Sequence, residues 1–165
     1  MNTYQLGNAI EFFGASNLGV LVQDRQHKIF HLGIASIAYS DDHMQVMSAS
    51  LISASNCVMV ASNSGRTHDL IDAAGIARRN GTITIVITVT GSPLANMGES
   101  VKEDSYIHLA ADHPEGYDQY STLVSRLLHL MIIDIVATCV ALRIGTELQA
   151  LLKEMKSNLR SKRYA

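Results

Sequence analysis

The sequence predicts a three-layer α/β fold built on a parallel β-sheet, and three observations carry that prediction. Short β-rich runs alternate with longer helical segments along the chain. One run, residues 82–89, is almost pure Thr, Ile and Val, the composition of a parallel strand covered on both faces. The chain has 165 residues, 47% of them hydrophobic and 17% charged, enough for one cored domain and too apolar for a disordered chain.

Five strands are expected, over residues 10–13, 34–39, 57–61, 82–89 and 106–110. Between the first two, Leu18, Leu21, Val22, Arg25, Ile29 and Leu32 recur at helical spacing, and Gly33 stops the helix. Residues 67–80 form the next helix, with Asp69 in its first turn and Gly81 beyond its end. A long apolar helix spans residues 120–143, and Gly145 separates it from an amphipathic tail. In that tail Leu148, Leu151, Leu152, Met155 and Leu159 fall at near-helical spacing among Lys153, Lys156, Arg160, Lys162 and Arg163. A packed or partner-facing helix with a basic side fits this better than a nucleic-acid reader. No repeat, low-complexity tract or long linker divides the chain, so residues 1–165 are read as one domain.

The formal charge is −2, with acids and bases mixed, which gives no bulk attraction to nucleic acid or membrane. Cys57 and Cys139 sit inside apolar runs without metal-ligand spacing and read as buried thiols in a reducing compartment. Residues 1–8 are polar, with no charged-then-apolar leader, so a cytoplasmic protein is expected. The apolar stretch 127–142 is broken by His129 and Asp134 and is short for a bilayer. It reads as a helix buried in a core or in a subunit interface.

The most informative segment is the exit from the third strand, where Cys57-Val58-Met59-Val60-Ala61 gives way to Ser62-Asn63-Ser64-Gly65-Arg66-Thr67 and then a helix. Such a loop sets hydroxyls and free backbone N–H groups at the positive end of a helix, which suits a phosphate. No Gly-Lys-Ser/Thr follows, so this is not the loop of a nucleoside triphosphatase. The plain alternative is an ordinary strand-to-helix connection with a good N-cap. In a parallel sheet of order 2-1-3-4-5 the crevice lies between strands one and three, beyond their carboxyl ends. Strand one exits through Gly14-Ala15-Ser16-Asn17-Leu18-Gly19, so two glycine- and hydroxyl-bearing turns would face one crevice.

Other constellations carry less. Ser16 stands where a dinucleotide fingerprint needs its middle glycine, which argues against NAD even with Asp41 and Asp42 after the second strand. His27 and His31 share a helix face without the intervening Glu of a metalloprotease and read as a solvated or hydrogen-bonded pair. His43 either reaches the ligand rim or belongs to a turn and N-cap cluster. Asp112, His113 and Glu115 offer acid–base groups at the same sheet edge, or are a solvated loop. No Gly-x-Ser-x-Gly elbow marks a serine hydrolase. No cofactor, metal or catalytic residue is therefore assigned.

Several segments together resemble the SIS (sugar isomerase) domain of RpiR/HexR-type bacterial transcription regulators. They are Glu11-Phe12-Phe13-Gly14, the run from Gln23 to Gly33, Ser40-Asp41-Asp42-His43, Ser62-Asn63-Ser64-Gly65-Arg66-Thr67, Gly91-Ser92-Pro93-Leu94-Ala95 and Ser125-Arg126. The likeness runs from about Gln5 to the C-terminus. It implies a flavodoxin-like, five-stranded domain that binds a phosphorylated sugar or sugar acid, usually as a homodimer or higher homo-oligomer. DNA would be met only through a separate N-terminal helix-turn-helix domain, and residues 1–9 resemble the end of the helix that joins the two. The family's phosphate loop falls on Ser62, Asn63, Ser64, Gly65, Arg66 and Thr67. In the first turn Ser16 replaces a glycine and Leu18 the ligand-contacting serine, leaving Ser16 and Asn17 to read sugar hydroxyls, with His43. The expected function is a non-catalytic effector-binding domain. Its rivals are an aldose–ketose sugar-phosphate isomerase using His43 and Glu115, and a dimerisation module with a vestigial pocket.

Overall fold

The computed structural model describes residues 9–14, 19–98, 105–114 and 123–160. Strands β1 (Ile10–Gly14), β2 (Ser36–Tyr39), β3 (Cys57–Ala61), β4 (Ile83–Thr88) and β5 (Tyr106–Ala110) form one sheet. Their order is β2-β1-β3-β4-β5, and every neighbouring pair is parallel. The strand bounds match the sequence reading to within two residues, because the runs of β-branched residues end where polar turns begin.

Alternation along the strands sends side chains to two cores. Phe13, Val58, Val60 and Val86 pack against Leu70, Ala73, Ala74 and Ala77 of α3 (His68–Arg79) and Ala49 of α2 (Asp42–Leu51). Phe12, Met59 and Ile87 pack on the other face against Val22 and Ile29 of α1 (Gly19–Phe30) and Ile133 of α5 (Leu123–Ile144). The layers are therefore α1 and α5, the sheet, and α2 and α3. A single turn, α4 (Pro93–Asn96), follows β4, and α6 (Thr146–Arg160) follows α5 after Gly145.

Two helices were not expected as such. In α2, Asp41 is the N-cap and its carboxylate accepts from the Met44 N–H at 2.9 Å. The cluster around His43 is therefore a helix start. In α4, Ser92 caps by accepting from the Ala95 N–H at 3.2 Å, and Pro93 takes the first helical position.

Two expectations need correcting. Cys57 is only half-buried and Cys139 is exposed, because Cys139 lies on the outer side of α5. That helix gives one face to the core, where Ser125, His129 and Ile133 are buried and Leu128, Ile132 and Val136 pack alongside, whereas Leu127, Met131, Ile135 and Leu142 are exposed. With 22 residues and an 18-residue window of mean hydropathy 2.1, it is long and apolar enough to cross a membrane by length and composition alone. Residues 120–122, where the sequence reading begins this helix, lie outside the described residues, as do residues 1–8.

His129 is buried with Nδ1 2.8 Å from the Ser125 carbonyl and Nε2 3.3 Å from that of Ile87. A neutral ring can donate to only one of them. Burial still holds its pKa below the ordinary range, against both carbonyl bonds, and the charge of Arg25 pushes the same way. Arg25 itself is 1% exposed, and Nε and Nη2 find no partner among the described residues. Burial lowers its pKa to about 10, so it remains a cation at neutral pH.

Candidate functional site

The topological switch point lies between β1 and β3, as the strand order requires. Gly14 pairs with Ala61 at the carboxyl ends of the two strands, so both exits leave the same edge side by side. Ser16 and Asn17, in the exit from β1, lie outside the described residues.

The exit from β3 is a shaped turn. The Ser62 N–H donates to the Ile87 carbonyl at 3.1 Å, extending the β3–β4 ladder by one residue. Ser62 is buried, and its Oγ accepts from the Gly65 N–H at 3.0 Å. Ser64 Oγ accepts from the Arg66 N–H at 3.2 Å. Accepting one bond leaves each of these hydroxyls its O–H to donate. Thr67 is the N-cap of α3, yet its side chain makes no capping bond, so the plain N-cap reading of the loop fails at that hydroxyl. Asn63 Oδ1 is buried without a partner among the described residues. Arg66 is exposed at the rim.

Gly65 explains why the turn closes here. Its φ is 61°, which an L side chain rarely adopts. A Cβ on it would lie 2.6 Å from Thr88 Oγ1 and closer still to Ser92. Its carbonyl accepts from the Leu94 N–H at 3.0 Å, which ties the loop to α4. Thr88, at the end of β4, is buried, and its Oγ1 has no partner among the described residues. The β3 and β4 exits thus form one packed unit of hydroxyls and backbone amides.

A second brace comes from α2. Gln45 is buried, and its Nε2 donates to the Gly14 carbonyl at 3.1 Å and the Tyr39 carbonyl at 3.0 Å. One side chain therefore holds the ends of β1 and β2. His43, two residues earlier, is exposed on the first turn of α2. Gln45, Thr88 and Ser92 were missed as site residues. Ser92-Pro93 carries a legible helix-start signature, but nothing in the sequence shows that Gln45 points at Gly14.

The acid–base candidates separate. Asp112 accepts from the Thr90 N–H at 2.7 Å and the Thr90 hydroxyl at 2.9 Å. These two bonds hold its pKa below the ordinary carboxylate value. Asp112 is thus a staple between the exits of β4 and β5. Glu115 lies outside the described residues. His27 and His31 are a hydrogen-bonded pair: their rings meet edge to face at 4.4 Å, and His31 Nδ1 is 2.7 Å from the His27 carbonyl. No group of three or more His, Cys, Asp or Glu among the described residues could hold a metal ion.

Comparison with known proteins agrees with this geometry. The sequence profile of the SIS domain matches residues 8–139. The transcriptional regulator HexR of Pseudomonas aeruginosa is 36% identical over 155 residues, 94% of this chain and 52% of HexR. The bifunctional protein Glk of Burkholderia thailandensis is 37% identical over 140 residues, 84% of this chain and 21% of Glk. The chain therefore spans about a fifth of Glk and half of HexR. Among solved structures, the NanR protein of Vibrio vulnificus complexed with ManNAc-6P superposes with a TM-score of 0.81 at 22% identity, over 95% of this chain and 57% of NanR. This chain belongs to the SIS domain family, with HexR-type transcription regulators among its relatives.

Proposed function

We propose that this domain is a non-catalytic sensor of a phosphorylated sugar or sugar acid, the effector-binding part of an RpiR-type transcription regulator acting in the cytoplasm. The observation that carries this reading is the turn Ser62-Asn63-Ser64-Gly65-Arg66-Thr67 beside Gly14 at the switch point. Ser64 and Thr67 would donate hydroxyl hydrogen bonds to the phosphate, with Ser62 shaping the turn. Charge-assisted bonds of this kind are roughly twice as strong as neutral ones. The positive end of α3 adds to them. Asn63, Gly65 and Arg66 complete the cradle, and Ser16, Asn17 and His43 are assigned to the sugar. HexR and NanR as relatives support a regulator, and the ManNAc-6P held by NanR supports the ligand class. DNA would be engaged through a helix-turn-helix domain joined at residues 1–9.

Thermal unfolding across a panel of hexose and pentose phosphates and phosphorylated sugar acids tests this, each beside its dephosphorylated form. A cognate ligand at about 100 times its dissociation constant should add ~2.7 kcal/mol of stability. The gain should vanish in Ser64→Ala and without the phosphate. No gain with any phosphorylated compound favours a vestigial pocket. Conversion of a stabilising ligand to its aldose or ketose isomer, followed by NMR, would replace the sensor with an isomerase.

A further inference from the structure

We infer that Arg25 is the fixed positive charge that makes the turn after β3 prefer a dianion, acting through packed protein and not by contact. This role rests on the anion-binding reading of that turn, and it falls on a residue outside the turn itself.

Among the described residues only two side chains that carry a full charge, Glu11 and Arg25, are buried. They lie on opposite faces of the sheet. Glu11 alternates with Phe12 along β1 and accepts from the Ser48 hydroxyl of α2. Arg25 sits on the inner face of α1 between Val22 and Ile29, which pack with Phe12, Ile87 and Ile133. Glu11 therefore does not neutralise it. Asp24 is exposed and within 4.0 Å of Lys28, and its charge offsets only part of the effect of burying Arg25. Asp134, across the seam on α5, is paired with Lys28.

The two nitrogens of Arg25 without a partner, Nε and Nη2, form the side-on fork that elsewhere grips a carboxylate. A buried cation left without a counter-charge is costly. Arginine does not escape that cost by losing its proton at neutral pH. The α1/α5 side of the sheet thus holds one uncompensated positive charge among the described residues.

That charge lies on the side of the turn. Long side chains on a helix lean back toward its N-terminus, and α1 begins at the strand-end edge. His129 of α5 feels the charge of Arg25. Its Nε2 is 3.3 Å from the Ile87 carbonyl oxygen, the same atom that accepts the Ser62 N–H at 3.1 Å. One carbonyl oxygen therefore separates the ring beside Arg25 from the first residue of the turn. Leu130, next on α5, packs against Ala61 at the end of β3. Arg25, His129, Ile87 and Ser62 are each at most 3% exposed. Through such an interior a charge acts at low dielectric and salt screens it little, unlike the exposed Arg66. An anion seated on the turn supplies the counter-charge that the fold withholds.

Amide NMR of the full chain at fixed ionic strength, titrated with sulfate and with methyl sulfate, tests this. The two probes share a tetrahedral head and differ by one unit of charge. In the wild type both should shift the amides of Gly65, Arg66 and Thr67, sulfate at the lower concentration. Arg25→Met should weaken sulfate roughly tenfold and methyl sulfate roughly threefold, because a field acts in proportion to charge. Without any anion the same variant should unfold at higher urea than the wild type, since an uncompensated buried charge has gone. Unchanged affinities, an equal loss for both probes, or a variant that unfolds at lower urea or does not fold would each overturn the role of Arg25. If neither probe shifts those amides in the wild type, the turn holds no anion, and the role of Arg25 falls with the site.

Discussion

Gly65 carries two constraints at once, a left-handed backbone and the closest approach between the β3 and β4 exits. Either alone would disfavour a side chain. Together they predict that Gly65→Ala costs roughly 2–3 kcal/mol, from backbone strain plus displacement of Ser92 and Thr88. Urea unfolding checks the figure, and a cost under about 0.5 kcal/mol, the range of ordinary surface changes, would show that the loop tolerates a methyl group there. The Ser-x-Ser-Gly-x-Thr pattern was legible because glycine and hydroxyls between an apolar run and a helix have few other uses. Thr88 was not, since a threonine at the end of a β-branched strand reads as strand composition. Its hydroxyl, which finds no partner among the described residues, stands out only once Gly65 is folded against it.

At the scale of elements, all five strands were visible in the sequence, and two helices were not. Residues 42–51 mix Met, Ser and Ala without a clear apolar stripe, and only Ala49 and Gln45 are buried. A helix that buries a polar side chain to hold strand ends has no hydrophobic signature to read. The long helix α5 has the opposite character, more apolar residues than the sheet can cover, and composition left both a core and a subunit interface open to it. Leu128, Ile132 and Val136 pack partly against the core, and Ser125, His129 and Ile133 are buried. One of these, His129, links α5 to β4 and carries a pH dependence. Its folded pKa lies below the unfolded value of about 6.5. The unfolded chain therefore binds a proton that the folded chain refuses. The contribution is fully present above about pH 6.5 and declines as pH falls from there toward the folded pKa. Urea unfolding between about pH 7.5 and 5.5 should show stability falling in the wild type and falling less steeply in His129→Gln. Equal slopes in the two proteins would mean that the ring titrates as it does in the unfolded chain.

For the whole molecule, strand order decides where chemistry can occur. A parallel sheet with its reversal between β1 and β3 sends two turns out of one edge, and Gln45 and Gly65 lock the strand ends from which they leave. Alternation of strands and helices implies the parallel sheet and the family resemblance implies its order, which is why the switch point could be placed before the fold was seen. The brace that holds it could not, because it depends on a side chain meeting a backbone carbonyl 31 residues away in sequence. The most direct measurement is amide NMR of the labelled protein titrated with a stabilising sugar phosphate and with the same sugar lacking its phosphate. The amides of Gly65, Arg66 and Thr67, with Gly14 across the switch point, should shift most, and only with the phosphorylated compound. Shifts centred on another edge of the sheet, or the same shifts from the unphosphorylated sugar, would contradict an anion held between these two turns.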